Sequence, residues 1–149
     1  MEQEADPAVA VEAAAVRLLA RREHSRHELR QRLERRHDPA VVAAVLDDLA
    51  ERGLVSDERF TEQYLASRLR RGFGPLRIRA ELRERGVAPE LIEAWLDLGE
   101  AEWFGHLREA ARSRFGAEPP RDARTQARVA RFLQYRGYPE SLIRRYLWG

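Results

Sequence analysis

The chain has 149 residues, of which 44% are hydrophobic and 35% are charged, a size typical of one ordinary domain or a short array of repeats. Its 27 basic and 25 acidic residues leave a formal net charge of +2, so total charge alone indicates no particular class of partner. The lack of cysteine excludes disulfide bonds, thiolate zinc sites and cysteine nucleophiles.

The charges are unevenly distributed along the chain. Residues 1–62 contain 10 Arg against 14 acidic residues, a balance of −4, whereas residues 103–149 contain 10 Arg against 4 acidic residues, a balance of +6. All 27 basic residues are Arg and none is Lys. Biased codon usage is the simpler explanation, and the alternative is that Arg is used because it forms bidentate bonds to phosphate or carboxylate.

Two features of the sequence bear on location. No apolar run approaches the roughly 20 residues that a membrane-spanning helix needs. The first residues, Met1 to Asp6, are acidic where a secretory signal is basic. We therefore expect a cytoplasmic protein with no membrane partner.

The spacing of apolar residues, three and four apart from Val9 to Leu147, predicts an almost entirely helical chain. Within the first third, caps and breaks define three helices. They are a helix from Asp6-Pro7 to about Glu23, a second that starts at the capping box of Ser25 to Glu28, and a third that starts at Asp38-Pro39 and ends at Gly53 in the left-handed region.

The same signals continue through the rest of the chain and predict six more helices. These are a helix capped by Ser56 or Asp57 and ended by the break at 72–75, one from Pro75 to Gly86, one from Pro89, one after Gly99 through Leu107, one from about Asp122 to Arg136, and one from Pro139.

Helix-opening prolines recur at a fixed interval, which indicates an internal repeat. Pro39, Pro89 and Pro139 are 50 residues apart, and each precedes a helix with paired apolar positions. Units of this size are too small to bury their own apolar faces, so stacked neighbours are expected to complete the core. The prediction is an all-α fold, an elongated array of three tandem three-helix repeats. The predicted boundaries are as follows. Residues 1–12 contain a flexible acidic segment and the start of the first helix, and the three repeats occupy residues 13–55, 56–99 and 100–149.

Motifs for catalysis or metal binding are lacking. Gly72-Phe73-Gly74 is followed by Pro75 and has no lysine, so it does not form a phosphate-binding loop. His24 and His27 flank a capping serine and match no zinc motif. Consecutive acids such as Asp47 and Asp48 diverge by about 100° on a helix and do not share a substrate atom. We expect no catalytic residue, cofactor or metal.

One helix carries a stripe of arginines. Angles around this helix are counted from Arg124 at about 100° per residue. The exposed face lies within roughly 40° of Arg124, and the apolar face lies between about 80° and 180° and contains Val129, Phe132 and Leu133. The members of the exposed face are Arg124, Arg128, Arg131 and Tyr135. Such a face is either simply solvated or binds the anions of phosphates or acidic side chains.

A second basic group lies in the middle of the chain. Arg79 and Arg83 are one helical turn apart and share a face, while Arg70 and Arg71 precede the glycine break. Glu81 and neighbouring acids neutralise part of this charge. Together with the stripe, these residues are the predicted binding surface for a protein partner or DNA.

Four segments closely resemble motifs of the RecX family. They are REHSRHEL at 22–29, VLDDLAERGLVSDERF at 45–60, GPLRIRAELR at 74–83 and RFLQYRGY at 131–138. The similarity extends over roughly residues 14–148 in order. The sequence departs from the family in having no Lys and in its alanine-rich acidic N-terminus.

This resemblance implies a regulator of recombination. RecX proteins are arrays of three three-helix repeats that bind the RecA filament in its helical groove and usually antagonise its ATPase, strand-exchange and coprotease activities. The resemblance therefore implies a monomer that is no enzyme, with the RecA filament and its DNA as partners. Two other functions remain open from the residues alone, a helix-turn-helix-like regulator that reads duplex sequence and a generic helical adaptor.

Overall fold

A computed structural model describes residues 6–149. Within this span the chain forms nine helices. They are α1 (Pro7–Leu19), α2 (Arg26–Leu33), α3 (Pro39–Glu51), α4 (Asp57–Arg70), α5 (Pro75–Glu84), α6 (Pro89–Leu96), α7 (Glu100–Phe115), α8 (Ala123–Arg136) and α9 (Glu140–Trp148). The predicted acidic segment at 1–12 lies partly outside the described residues.

The helix starts are where the capping signals predict them. Asp38 precedes Pro39, the first residue of α3, and its carboxylate accepts a hydrogen bond of 2.8 Å from the Ala40 amide. Ser25 and Glu28 form the complete capping box of α2. Of the two candidates for the α4 cap, Ser56 is the one whose hydroxyl accepts from the Arg59 amide, at 3.1 Å.

The predicted end of the first helix is wrong. α1 ends at Leu19 and not near Glu23, and the Arg21 amide closes a final turn on the Leu18 carbonyl. The chain then leaves the helical path, and the Glu23 carboxylate pairs with Arg59 of α4. Helical periodicity does not detect this because the partner is 36 residues away.

Each consecutive group of three helices packs together, as the repeat predicts. Helices α1 to α3 form repeat 1, α4 to α6 repeat 2 and α7 to α9 repeat 3. The accessible surface is 9807 Å² for 17.3 kDa, whereas a compact protein of this mass exposes about 7800 Å². The array is therefore elongated.

The expectation of a continuous core holds for only two of the repeats. Repeats 2 and 3 share one apolar cluster, in which Leu82 and Leu133 are fully buried. Repeat 1 has a separate cluster around Leu29, Leu46 and Leu49. Repeat 1 therefore does not share a hydrophobic core with its neighbour, because its three helices bury these side chains among themselves.

Main-chain hydrogen bonds join repeats 2 and 3. The Gly74 amide donates to the Arg136 carbonyl at 2.7 Å, and the Leu76 amide donates to the Gly137 carbonyl at 2.9 Å. A β-carbon on Gly74 would lie 2.7 Å from the carbonyl carbon of Gly137, so the close approach requires glycine. The buried Tyr138 hydroxyl donates to the Gly72 carbonyl at 3.1 Å and closes the same junction.

Polar contacts join repeats 1 and 2. The Arg26 amide donates to the Asp57 carboxylate at 2.8 Å, and Glu28 lies 3.8 Å from the Arg85 guanidinium. In addition, the Ser25 hydroxyl donates a hydrogen bond to the Arg85 carbonyl, and Glu23 forms an ion pair with Arg59. We call this set of contacts the polar joint.

Candidate partner-binding groove

Two adjoining cavities of about 560 and 420 Å³ lie along α7 and α8, beside the end of α4. They share Arg114, Phe132 and Arg136, so they form one continuous surface. We call this surface the arginine groove, after the six arginines that line it, Arg70, Arg71, Arg114, Arg128, Arg131 and Arg136.

Five of the eight predicted binding residues line this groove. Arg70 and Arg71 enter from the end of α4, and Arg128, Arg131 and Tyr135 enter from α8. The structure therefore brings together residues from repeats 2 and 3 that are some 60 positions apart in the chain.

The other three predicted residues lie outside the lining of the groove. Arg124 is exposed on the first turn of α8. Arg79 pairs with Glu93 of α6, with 2.6 Å between the guanidinium Nε and the carboxylate. This ion pair and the nearby charge of Arg83 lower the pKa of Glu93. Arg83 is exposed at the same α5–α6 face.

The Phe73 ring contacts arginines in the wall of the groove and behind it. Its ring is 8% exposed and lies in the loop between α4 and α5. Four guanidinium carbons lie within 4.3 to 6.0 Å of its centroid, those of Arg68, Arg71, Arg77 and Arg136. Because an aromatic face attracts cations, this one ring holds together arginines from α4, α5 and α8.

Aromatic rings also form part of the groove wall. Phe115 and Phe132 meet edge to face with centroids 5.3 Å apart, and the Arg114 guanidinium lies 5.1 Å from the Phe132 centroid. Tyr135 is 73% exposed, and Arg77 lies 4.9 Å from its ring and donates to its carbonyl at 3.3 Å. The groove thus offers flat apolar faces beside positive charge.

The positive charge of the groove is largely unneutralised. Across residues 6–149, no carboxylate forms an ion pair with Arg114, Arg128 or Arg131. Burial lowers the pKa of Arg136, and the charges of Arg114 and nearby arginines lower it further. Like charges crowded in this way attract anions.

This arrangement suits binding rather than catalysis. Planar guanidinium groups form paired hydrogen bonds with phosphate or carboxylate oxygens, and exposed rings stack on unpaired bases. Among the described residues, no group of three or more His, Asp or Glu side chains is placed to hold a metal ion. No helix between residues 6 and 149 is long and apolar enough to cross a membrane.

Sequence reasoning missed four arginines of this region, Arg68, Arg77, Arg114 and Arg136. Arg136 lies about 120° from Arg124 at 100° per residue, which assigns it to the apolar face of α8. In the structure it does lie there, with its guanidinium 4.7 Å from the Phe132 ring. Phe73, beside a glycine break and several arginines, is the signal that could have identified this cation–π cluster.

The fold defines a protein built of three three-helix repeats. Profiles of the first, second and third three-helix domains of RecX match residues 13–49, 56–96 and 100–147. The chain therefore belongs to the RecX family, as the sequence motifs indicate.

Full-length relatives agree with this assignment. A protein of Halorhodospira halophila named regulatory protein RecX is 50% identical over 136 residues, 91% of this chain and 84% of its own length. One of Pseudomonas syringae pv. tomato with the same name is 44% identical over 145 residues, 97% of this chain and 94% of its own. By this relationship the chain is a regulatory protein and not an enzyme.

Solved structures share the fold. The crystal structure of RecX from Lactobacillus salivarius superimposes with a TM-score of 0.78 at 19% identity, covering 96% of both chains. A second crystal structure, described as regulatory protein RecX, gives a TM-score of 0.75 at 19% identity and covers 92% of this chain and 70% of that one. The three-repeat architecture thus persists at low sequence identity.

Proposed function

We propose that this protein inhibits the RecA recombinase by binding the RecA–DNA filament, as a cytoplasmic monomer. Membership of a family of regulatory proteins supports a regulatory role. The activities expected to fall are ATP hydrolysis, strand exchange and coprotease activity, which all depend on the filament.

One observation carries the choice of surface. Six arginines and three aromatic rings converge on the arginine groove, and Arg114, Arg128 and Arg131, which form no ion pair within residues 6–149, can meet phosphates. The groove crosses the junction of repeats 2 and 3, where two main-chain hydrogen bonds fix its walls. A preformed basic surface binds a polyanion without first paying an ordering cost.

The proposed mechanism is a shift between filament states. The elongated molecule contacts DNA phosphates through the arginine groove and RecA through its remaining surface. It favours one state of the filament over another only to the extent that it binds that state more tightly. A shift from 1:99 to 99:1 requires about 10⁴-fold tighter binding of the favoured state.

The test is a titration of the pure protein into a RecA ATPase reaction on single-stranded DNA. Wild type is expected to lower ATP turnover, and Arg128→Gln/Arg131→Gln is expected to require a higher concentration for the same effect. The matched control, Arg30→Gln/Arg52→Gln, removes the same charge from arginines that already pair with Glu34 and Asp48. It should behave as wild type.

Three results would overturn the proposal. They are unchanged ATP turnover with wild type, equal loss of effect in both double variants, and selective binding to one duplex sequence without any effect on RecA. The last result would instead favour the helix-turn-helix-like regulator.

A further inference from the structure

A second basic surface lies in repeat 1, outside the arginine groove. It is a cavity of about 720 Å³ between the C-terminal ends of α1 and α2. We call it the repeat 1 groove. Its basic side chains are Arg17, Arg21, Arg32, Arg35, Arg36 and His37.

The five arginines of this groove have no acidic partner in the described part of the chain. Nearby acids are engaged elsewhere. Glu34 lies 3.9 Å from Arg30, Glu12 lies 2.7 Å from Arg52, and Asp38 caps α3. The negative balance of residues 1–62 therefore hides a local concentration of positive charge.

Helix capping explains only part of this cluster. Arg17 and Arg32 lie in the last turns of α1 and α2, where a cation interacts favourably with the helix dipole. Arg35 and Arg36 follow the C-cap residue Glu34 and are exposed. Neither a helix dipole nor an acidic partner within the described chain accounts for these two side chains, so they can meet an anion from another molecule.

The floor of the repeat 1 groove identifies the kind of anion. It consists of Ala14, Leu18 and Leu33, and no Phe, Tyr or Trp of the described chain lines it. Proteins that bind single strands without sequence preference combine a basic groove with aromatic faces on which bases stack, and such faces are present in the arginine groove as Phe115, Phe132 and Tyr135. An aliphatic floor ringed by arginines instead complements a peptide with carboxylates around an aliphatic side chain.

We propose that the repeat 1 groove is a docking site for an acidic segment of a protein partner, with an aliphatic side chain over Leu18 and carboxylates on the arginines. This surface shares no residue with the arginine groove. The proposed function leaves the surface that meets a protein undefined, and this inference goes beyond it by assigning that surface to one end of the molecule and by naming the chemistry of the docked segment.

Fluorescence anisotropy with the full chain tests the proposal. The probes are a labelled short peptide of Asp and Glu around a central Leu, the same peptide with Ser in place of Leu, and a labelled oligothymidylate. The variants are Arg17→Gln/Arg32→Gln/Arg36→Gln in the repeat 1 groove and, as a matched control, Arg114→Gln/Arg128→Gln/Arg131→Gln in the arginine groove. Circular dichroism checks that both are folded.

The repeat 1 triple variant is expected to bind the Leu peptide about tenfold more weakly than wild type, and the control about as tightly as wild type. Wild type should bind the Leu peptide about fivefold more tightly than the Ser peptide, because part of an aliphatic side chain is buried. Equal peptide affinity of the two triple variants would overturn the proposal. So would a repeat 1 triple variant that loses affinity for oligothymidylate but not for the peptide.

The same preparations enter the RecA ATPase titration, so the two proposals fail separately. Unchanged ATP turnover with selective peptide binding would overturn the proposed function and support this docking site. Lowered ATP turnover without selective peptide binding would do the reverse.

Discussion

The Ser25 hydroxyl donates a hydrogen bond of 2.6 Å to the main-chain carbonyl of Arg85, 60 residues further along the chain. The same oxygen accepts from the Glu28 amide at 3.1 Å as the cap of α2. Ser25 is fully buried. One side chain therefore both starts a helix of repeat 1 and holds repeat 1 against repeat 2.

We expect Ser25→Ala to lower the free energy of unfolding by about 2 kcal/mol, because it removes a helix cap and leaves the Arg85 carbonyl without this donor. Ser56→Ala is the matched control, since the Ser56 hydroxyl caps α4 and, within residues 6–149, makes no hydrogen bond across the polar joint. It should cost about 1 kcal/mol. Urea denaturation measures both, and equal losses would show that the bond to Arg85 contributes nothing.

Gly53 and Gly137 both have positive φ, +74° and +95°, so a side chain at either position is strained. Their surroundings differ. A β-carbon at Gly53 meets no described atom within 4 Å, whereas one at Gly137 would lie 2.6 Å from the Arg77 amide nitrogen. We expect Gly53→Ala to cost about 1 to 2 kcal/mol and Gly137→Ala to cost more. Thermal unfolding compares them, and a smaller loss at Gly137 would contradict the close contact.

The predicted arginines fall into two sets that binding assays can separate. Arg124→Glu/Arg128→Glu/Arg131→Glu should retain helical content and lose affinity for RecA filaments, because the substitutions lie on exposed positions of α8. If they meet phosphates, the slope of log affinity against log salt should flatten by about 0.7 to 0.9 per arginine lost. Arg79→Glu/Arg83→Glu should have a smaller effect, since Arg79 is paired with Glu93.

Filament affinity at several salt concentrations measures this difference. Equal affinity of wild type and the α8 triple variant at low salt would mean that this face is only solvated. A larger loss from the Arg79 and Arg83 substitutions would move the binding surface to the α5–α6 face.

Burial raises the pKa of Tyr138 above its usual value. A tyrosine with a raised pKa in the folded state contributes stability that is complete below the unfolded pKa of about 10 and decreases as pH rises above it. Tyr138→Phe should therefore flatten the fall in stability above about pH 10. At neutral pH it should cost about 1 kcal/mol through the lost bond to the Gly72 carbonyl.

Denaturation at pH 7 and at alkaline pH measures both effects of Tyr138→Phe. Burial also raises the pKa of Tyr64 and Tyr146, so the variant should keep part of the alkaline loss. An alkaline profile identical to that of wild type would contradict the burial of an un-ionised Tyr138 hydroxyl.

Local chemistry determines most of what the sequence predicts correctly. Asp38, Ser25 and Ser56 cap helices because their side chains accept from amides two or three residues ahead, a relationship visible in the sequence itself. Gly53 and Gly137 end helices for reasons equally local. The three-helix repeats follow from these signals and from the spacing of Pro39, Pro89 and Pro139.

Long-range contacts explain what the sequence does not predict. Arg136 lies on the apolar side of α8 beside Phe132 of the same helix, and the approach of Phe73 from repeat 2 adds a second cation–π contact that the sequence does not reveal. The pair of Arg79 with Glu93 depends on how α5 packs on α6. The net charge of residues 1–62 also conceals the basic repeat 1 groove. Acids such as Asp47 and Asp48 make that net charge negative, but they pair with Arg26 and Arg52 and not with the arginines of the groove.

The polar joint has a consequence for how the two ends of the molecule cooperate. Because the apolar clusters on its two sides are separate, bending at Ser25 and Arg85 would exchange hydrogen bonds with water without uncovering a shared hydrophobic core. Repeats 2 and 3 share a hydrophobic core and direct main-chain hydrogen bonds, so we expect them to move as one rigid unit. We therefore expect repeat 1 to change its angle to the other two repeats more readily than repeats 2 and 3 change theirs to each other.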